Sequence, residues 1–128
     1  MRIFDASSIF LAIKTNQPLI LKNSYSVILA RYELGNVIWK ETALSGIYSV
    51  DEGVRLIKVF DRILEEMTLL HPPLEQVYKT AIKYKMSYYD ASYLFVALNL
   101  KVPLITEDKK IRQKTEGVLQ LYSLSEII

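Results

Sequence analysis

The chain has 128 residues, of which 51% are hydrophobic and 23% charged, so it can fill one domain with a real core and is not disordered. The net charge of +2 excludes a bulk polycation, and the absence of cysteine excludes disulfides, thiolate zinc sites and cysteine nucleophiles. The single histidine, His71, excludes a two-histidine metal motif. Any metal would therefore be held by oxygen, which suits Mg²⁺ or Mn²⁺.

Hydrophobic periodicity predicts strands that alternate with helices along the chain. Strands are expected at residues 2–5, 68–71, 102–106 and 118–122, with a further extended piece at 19–21. Helices are expected at residues 6–14, 26–45, 49–67, 73–84 and 89–98, with short helical segments at 109–114 and 124–128. This alternation predicts an α/β fold, a three-layer α/β/α sandwich with a short, mainly parallel sheet of four or five strands.

Two of the predicted helices carry apolar stripes that should face the core. The helix at 26–45 is the longest helical pattern, and its inward face would include Leu34 and Leu44. The helix at 49–67 begins with a capping box, and its inward stripe would include Val54 and Ile57. Both helices would then lie against the sheet.

The sequence also predicts where the protein works. No segment approaches the roughly 18 apolar residues that a membrane-spanning helix needs. The N-terminal residues are not a signal peptide, because Asp5 interrupts the apolar stretch almost at once. We therefore expect a cytoplasmic protein with a single domain at residues 1–128 and no membrane partner.

Asp90 stands at the mouth of a very apolar run, residues 93–98, with no cation at helical spacing. A carboxylate at the edge of a core loses hydration, which costs free energy unless a partner compensates for it. In one interpretation, Ser87 caps a helix and Asp90 reaches back to a free backbone N–H, as in a capping box. In the other, Asp90 is a metal ligand. Considered alone, the segment favours the capping box.

Three other carboxylates change that balance. Asp5 and Asp108 each follow a predicted strand, although each could simply cap the next helix. Glu33 lies at the margin of a buried stripe and has no cation three or four residues away. Because ligand crevices open at the carboxyl ends of parallel strands, these three and Asp90 could converge on one sheet edge. Mutual repulsion would raise the pKa of at least one, and a divalent cation would relieve it.

Such a site implies hydrolysis of a phosphodiester, since a bound divalent ion polarises phosphoryl oxygens and activates water. The residue pattern now resembles the PIN-domain nucleases, and most closely the VapC toxins of type II toxin–antitoxin pairs. The resemblance covers nearly the whole chain and depends on four segments, Phe4-Asp5-Ala6-Ser7, Tyr32-Glu33-Leu34, Tyr89-Asp90-Ala91 and Leu104-Ile105-Thr106-Glu107-Asp108.

The resemblance implies particular roles for particular residues. The family's catalytic and metal-binding quartet would be Asp5, Glu33, Asp90 and Asp108, and its supporting hydroxyls would be Ser7 and Thr106. It implies a Mg²⁺- or Mn²⁺-dependent ribonuclease. It also implies a homodimer, held inactive by a VapB-like antitoxin whose chain crosses the active-site groove.

Basic and aromatic residues near the quartet suit an RNA substrate. Phosphates could be held without sequence reading by six cations, Arg31, Lys40, Lys109, Lys110, Arg112 and Lys114. Tyr88 and Tyr89 could stack on bases of single-stranded RNA. The alternative is that the basic residues solvate helices and the tyrosines fill core.

The leading hypothesis is a metal-dependent endoribonuclease. A second hypothesis is a PIN-like module that binds RNA or a protein without cutting, although four clustered negative charges near phosphate speak against it. A third is a small-molecule phosphatase with Asp5 as nucleophile. That chemistry commonly needs a second acid two residues on, where this chain has Ser7.

Overall fold

Five strands form one sheet between two layers of helices in a computed structural model that describes residues 1–128. The strands are β1 (Ile3–Phe4), β2 (Tyr25–Val27), β3 (Thr68–Leu70), β4 (Leu104–Ile105) and β5 (Leu121–Tyr122). The helices are α1 (Ala6–Lys14), α2 (Ala30–Ala43), α3 (Val50–Glu66), α4 (Leu74–Tyr84), α5 (Tyr88–Leu100) and α6 (Lys109–Lys114), with 3₁₀ turns at Pro18–Leu21 and Leu124–Glu126. The predicted α/β fold is confirmed, and all four strand pairings are parallel.

The strand order β3-β2-β1-β4-β5 puts β1 at the centre of the sheet. In register, Ile3 of β1 lies opposite Tyr25 of β2 on one side and Leu104 of β4 on the other. Along the chain, β2 and β3 are added on one side of β1, and β4 and β5 are then added on the other side. The order of the strands therefore reverses between the neighbours β1 and β4. A parallel sheet opens its ligand crevice at such a point, beyond the carboxyl ends of the strands.

The two residues of β1 fill the cores on opposite faces of the sheet, as strand periodicity requires. Phe4 packs in a cluster of 13 buried residues that includes side chains of α1, α2 and α3. Ile3 packs in a second cluster with Tyr93 and Val96 of α5. Because both faces are covered, the polar residues that follow the strands are left at the edge of the sheet.

Several sequence predictions for the first half of the chain were wrong. The helix predicted at 26–45 starts only at Ala30, because Tyr25–Val27 pairs with β1 and β3 as a strand. The buried Ser26 hydroxyl donates a hydrogen bond of 2.7 Å to the Phe4 carbonyl, which a local pattern cannot reveal. Residues 19–21, predicted to be extended, belong to a 3₁₀ turn. The longest helix is α3, with 17 residues, rather than α2, with 14.

Parts of the predicted inward faces are exposed. Leu44 follows the end of α2 and is 69% exposed, while Val54 and Ile57 of α3 are 47% and 40% exposed. The helix α3 reaches the core through its second half, where Phe60 and Leu64 are buried. Its first half lies against α2, and a Cβ atom on Gly53 would come within 3.1 Å of the Thr42 hydroxyl. No helix in the structure is long and apolar enough to cross a membrane.

Candidate active site

Asp5 follows β1 at the central crevice and is almost completely buried. Its Oδ1 accepts the backbone N–H of Ser8 at 2.9 Å, which caps α1, and the hydroxyl of Ser7 at 2.6 Å. Its Oδ2 accepts the hydroxyl of Thr106 from the end of β4. Burial raises the pKa of Asp5, and these hydrogen bonds act against that rise. The cap and the two hydroxyls together fix the orientation of one carboxylate.

The hydroxyls of Ser7 and Thr106 also connect the neighbouring loops. Ser7 Oγ accepts the backbone N–H of Glu107, and Thr106 Oγ1 accepts that of Asp108, each at 3.1 Å. The segment after β4 is therefore tied to the segment after β1 through the side chain of Asp5. This network holds Asp108 at the same opening of the sheet.

Glu33 reaches the crevice from α2 and is half-buried. Its Oε1 accepts a hydrogen bond of 2.6 Å from the hydroxyl of Tyr93, which is a core residue of α5. Burial raises the pKa of Glu33, and the negative charges of Asp5 and Asp90 raise it further, whereas the Tyr93 hydrogen bond lowers it. Glu33 thus lies within electrostatic reach of both aspartates.

Asp90 lies in the first turn of α5, half-buried. Ser87 caps this helix by accepting the backbone N–H of Asp90 at 3.0 Å. The reciprocal bond, in which the Ser87 N–H would donate to the Asp90 carboxylate and complete a capping box, is not formed, in contrast to Ser49 and Glu52 at the start of α3. The capping-box interpretation of this carboxylate was therefore wrong.

Burial also raises the pKa of Asp90, and the negative charge of Asp108 adds to the rise, while the hydroxyl of Ser87 and the positive charge of Lys114 oppose it. Asp108 itself caps the short helix α6, since its Oδ1 accepts the backbone N–H of Lys110 at 2.8 Å. Asp90 and Asp108 are thus close enough to repel each other.

None of the four carboxylates takes part in an ion pair, because the three ion pairs of the structure join other residues. No three acidic or histidine side chains lie close enough together to hold a metal as they stand. Mg²⁺ does not require such a cage, since it is commonly held by one or two carboxylates and several waters. Carboxylate oxygens that repel one another, without cationic partners, are a donor set that fits a hard divalent cation.

The basic residues that were predicted to contact RNA phosphates lie in different surroundings. A groove with a volume of about 500 Å³ begins at Asp108 and is lined in part by Lys109 and Arg112. Arg112 is already paired with Glu126 at 2.6 Å, and Arg31 is paired with Asp61 of α3 at 2.8 Å. Lys40 and Lys110 are exposed. The structure thus brings Lys109 and Arg112 together beside the carboxylates, whereas Arg31 points to α3.

The two predicted tyrosines differ from each other. Tyr88 is tied down, because its hydroxyl donates to the Leu74 carbonyl at 3.1 Å. Tyr89 is 59% exposed. Neither is a core residue, so the alternative that these tyrosines merely fill core was wrong.

Sequence reasoning missed the roles that three residues play beside the carboxylates. Tyr93 holds Glu33, Ser8 supplies a backbone donor to Asp5, and the positive charge of Lys114 lowers the pKa of Asp90. A signal for Tyr93 was available, since it lies three residues after Asp90 and so shares its helix face. Lys114 lies on another element, and nothing local indicates its approach.

Comparison with known proteins identifies the family. The chain is 34% identical over 98 residues to exonuclease VapC9 of Pyrobaculum aerophilum, an alignment that covers 75% of this chain and 70% of that protein. The chain belongs to the VapC family of PIN-domain proteins. The resemblance drawn from the four sequence motifs is thereby confirmed, although no protein-family model matches the chain.

Solved structures share the fold of this VapC-family chain. The crystal structure of PAE2754 from Pyrobaculum aerophilum superposes with a TM-score of 0.80 at 26% identity and covers 98% of this chain and 90% of that one. VapBC-1 from nontypeable Haemophilus influenzae gives a TM-score of 0.62 at 20% identity, covering 97% and 98%. The second likeness extends to the fold alone.

Proposed function

We propose that this VapC-family chain is a metal-dependent endoribonuclease and the toxin of a VapBC-type pair. The observation that carries the proposal is electrostatic: Glu33 feels the charges of Asp5 and Asp90, and Asp90 feels that of Asp108. None of these four carboxylates forms an ion pair. A catalytic relative supports the proposal, since one protein that the chain resembles is named an exonuclease.

In this proposal the four carboxylates would hold Mg²⁺ or Mn²⁺. Such an ion, when bound, polarises a phosphoryl oxygen, lowers the pKa of water and stabilises the leaving oxygen. The chain's own contribution is orientation and charge. Ser7, Ser8 and Thr106 fix the carboxylate of Asp5, and Tyr93 keeps a donor on Glu33 because burial raises the pKa of the phenol.

The groove beside Asp108 would take the phosphates on one side of the scissile bond. Its lining also includes Glu107 and Glu126, and Glu126 is paired with Arg112, so Lys109 is the cation free to attract the backbone of any RNA sequence. Lys110, Lys40 and Arg31 would then act at longer range, if the strand extends beyond the groove. Sequence preference must come from contacts with bases.

The proposal is tested by RNA cleavage with and without Mn²⁺. We expect Asp5→Asn and Asp90→Asn to lower the rate by about 100-fold or more, as when one oriented group is removed from an active site. Asp51→Asn, an exposed acid in the first turn of α3, is the matched control and should cut normally. Cleavage that survives both site substitutions would end the proposal. A circular RNA separates cutting within a strand, which we propose, from the removal of terminal nucleotides.

A second candidate is a module that binds RNA or protein without cutting. One observation favours it, namely that no three of the carboxylates are already close enough to hold a metal. Calorimetric titration with Mn²⁺ distinguishes the two candidates, because a pure binder should take up no metal. Uptake that is lost in Asp90→Asn would support the nuclease.

We also propose a homodimer and a VapB-like antitoxin as partners. The first half of α3 exposes an apolar row, Val50, Val54 and Ile57, of the kind that a second copy would cover. A basic antitoxin segment would complement the acidic crevice. Light scattering should give twice the 14.8 kDa chain mass. A single-chain mass at every concentration would contradict the dimer.

A further inference from the structure

An apolar pocket lies at the carboxyl edge of the sheet, beside the acidic crevice. It has a volume of about 170 Å³, and its lining includes Ile28, Leu29, His71, Leu74, Tyr88 and Tyr89. Two of these follow directly on strands, because β2 ends at Val27 and β3 at Leu70. We propose that this pocket binds one nucleobase of the strand that is cut at the carboxylates, an inference that rests on the proposed nuclease function.

The position of the pocket supports this assignment. Leu29 lies one helical turn before Glu33, whose backbone N–H donates to the Leu29 carbonyl at 3.0 Å. Tyr89 directly precedes Asp90. The pocket therefore adjoins the crevice on the side of β2 and β3, whereas the groove with Lys109 and Arg112 follows β4.

The three features lie in order along one edge, with the base pocket first, the carboxylates second and the groove that holds Lys109 third. A single strand laid along this edge places a base in the pocket, a phosphodiester at the carboxylates and further phosphates in the groove. Because the sheet is all parallel, segments that follow β1, β2, β3 and β4 meet at this edge, and the N-terminal turn of α5 brings Tyr89 and Asp90 to it.

The chemistry of the lining selects a base rather than a phosphate. No lysine or arginine lines the pocket, so it has no counter-charge for a phosphate. Tyr89 is 59% exposed and offers an aromatic face, on which any base can stack. The neighbouring ring of Tyr88 is held in place by its hydrogen bond to Leu74. His71 and Ser92 also line the pocket, and the exposed His71 ring provides polar atoms for the edge of a base, whereas the buried Ser92 hydroxyl donates to the Tyr89 carbonyl at 2.6 Å.

Binding is measured without divalent ions, so that the strand stays intact. The probes are short single-stranded RNAs with the fluorescent base 2-aminopurine at each position in turn, since stacking quenches its emission. We expect quenching at one position that Tyr89→Ala abolishes. Tyr78→Ala is the matched control, because Tyr78 lies on α4 and is also 59% exposed but does not line the pocket. Quenching at no position, or equally in Tyr89→Ala and wild type, would overturn the inference.

Cleavage of the same RNAs with Mn²⁺ separates this inference from the proposed function. An abasic nucleotide at the quenched position should lower kcat/KM by about tenfold, within the range for losing one base–aromatic stack. Tyr89→Ala should lower it equally on the intact strand and add nothing on the abasic one. Normal cleavage that ignores the abasic site overturns the pocket and leaves the nuclease standing. Tyr89-dependent quenching without any cleavage overturns the nuclease and leaves a base-binding pocket.

Discussion

Asp90 occupies a position where two electrostatic effects oppose each other. It lies in the first turn of α5, where the partial positive charge of the helix N-terminus normally stabilises a carboxylate. Burial and the charge of Asp108 act in the opposite direction, and the pKa of Asp90 is raised on balance. The folded metal-free protein therefore tolerates the ionised form of Asp90 less well than the unfolded chain does.

We accordingly predict that Asp90→Asn raises the melting temperature of the metal-free protein at neutral pH by about 1–4 °C, a small gain for a chain of this length. The Ser87 cap is kept, because it uses the backbone N–H of residue 90. Asp51→Asn is the control, since Asp51 is an exposed first-turn acid of α3, and it should lower stability slightly. Scanning calorimetry measures both. A clear drop for Asp90→Asn would mean that this carboxylate stabilises its helix after all.

The hydrogen bond from Tyr93 to Glu33 gives a second prediction. Its hydroxyl lowers the pKa of Glu33 by donating to the ionised carboxylate. In Tyr93→Phe the pKa of Glu33 should rise further, so the acid limb of the kcat/KM profile should move to higher pH. The loss of activity should then be larger near about pH 6 than near about pH 8. Tyr25→Phe, in half-buried β2, is the control. An unchanged acid limb would show that Glu33 need not be ionised.

For single residues, the sequence identifies the candidate site residues better than the contacts that their side chains make. The four carboxylates could be named because Asp5 and Asp108 each follow a predicted strand, while Glu33 and Asp90 border apolar stretches without a cation at helical spacing. The pKa shift and hydrogen-bond partners of each carboxylate could not be predicted, since they depend on groups far away in the chain. Thr106 reaches Asp5 across 101 positions, and Tyr93 reaches Glu33 across 60.

Among the elements, helices with strong local signals were predicted well. A proline pair precedes α4, and the Ser49 capping box opens α3. The strand β2 was missed because its three residues continue the helical pattern of α2 and are extended only by pairing with β1 and β3. Propensity is a weak prior, and tertiary pairing overrode it here.

The short helix α6 yields a prediction about salt. Lys109, its first residue, is exposed at the groove and has no ion-pair partner, whereas Arg112 is paired with Glu126. Lys109→Gln should weaken RNA binding and reduce the slope of log affinity against log salt concentration by about 0.7, the value for one phosphate contact on a single strand. Lys58→Gln on exposed α3 should leave the slope unchanged. Equal slopes for both variants would exclude Lys109 as a phosphate contact.

In the molecule as a whole, the carboxyl groups whose pKa is raised all lie at one end of the sheet. Asp5, Glu33 and Asp90 are all raised, in each case mainly by burial. Above the unfolded-state values near about 4, the unfolded chain has released protons that the folded chain still holds. Stability from these groups is therefore present at low pH and is lost as pH rises through their folded pKa values.

Two exposed glutamates have lowered pKa values and therefore affect the pH dependence of stability in the opposite direction. Hydrogen bonds from Ser49 lower the pKa of Glu52, and those from Ser123 and Arg112 lower the pKa of Glu126 to about 2. Their contribution is present above the unfolded-state values and is lost as pH falls through the folded ones. Because glutamate in the unfolded chain has a pKa of about 4.3, their contribution is constant from about pH 5.5 upward, and the three raised carboxyl groups govern the pH dependence in that range.

A divalent cation should reverse this trend, because it takes the place of the protons that the crevice otherwise retains. We predict that the metal-free protein loses stability as pH rises above about 5.5, and that Mn²⁺ restores more of it at each higher pH. At 100 times its Kd the ion would contribute about 2.7 kcal/mol, enough to raise the melting temperature by several degrees. Calorimetry between about pH 4.5 and 8 measures the effect, with Asp90→Asn expected to lose most of it and Asp51→Asn none. A gain from Mn²⁺ that is equal at every pH would mean that the ion binds elsewhere.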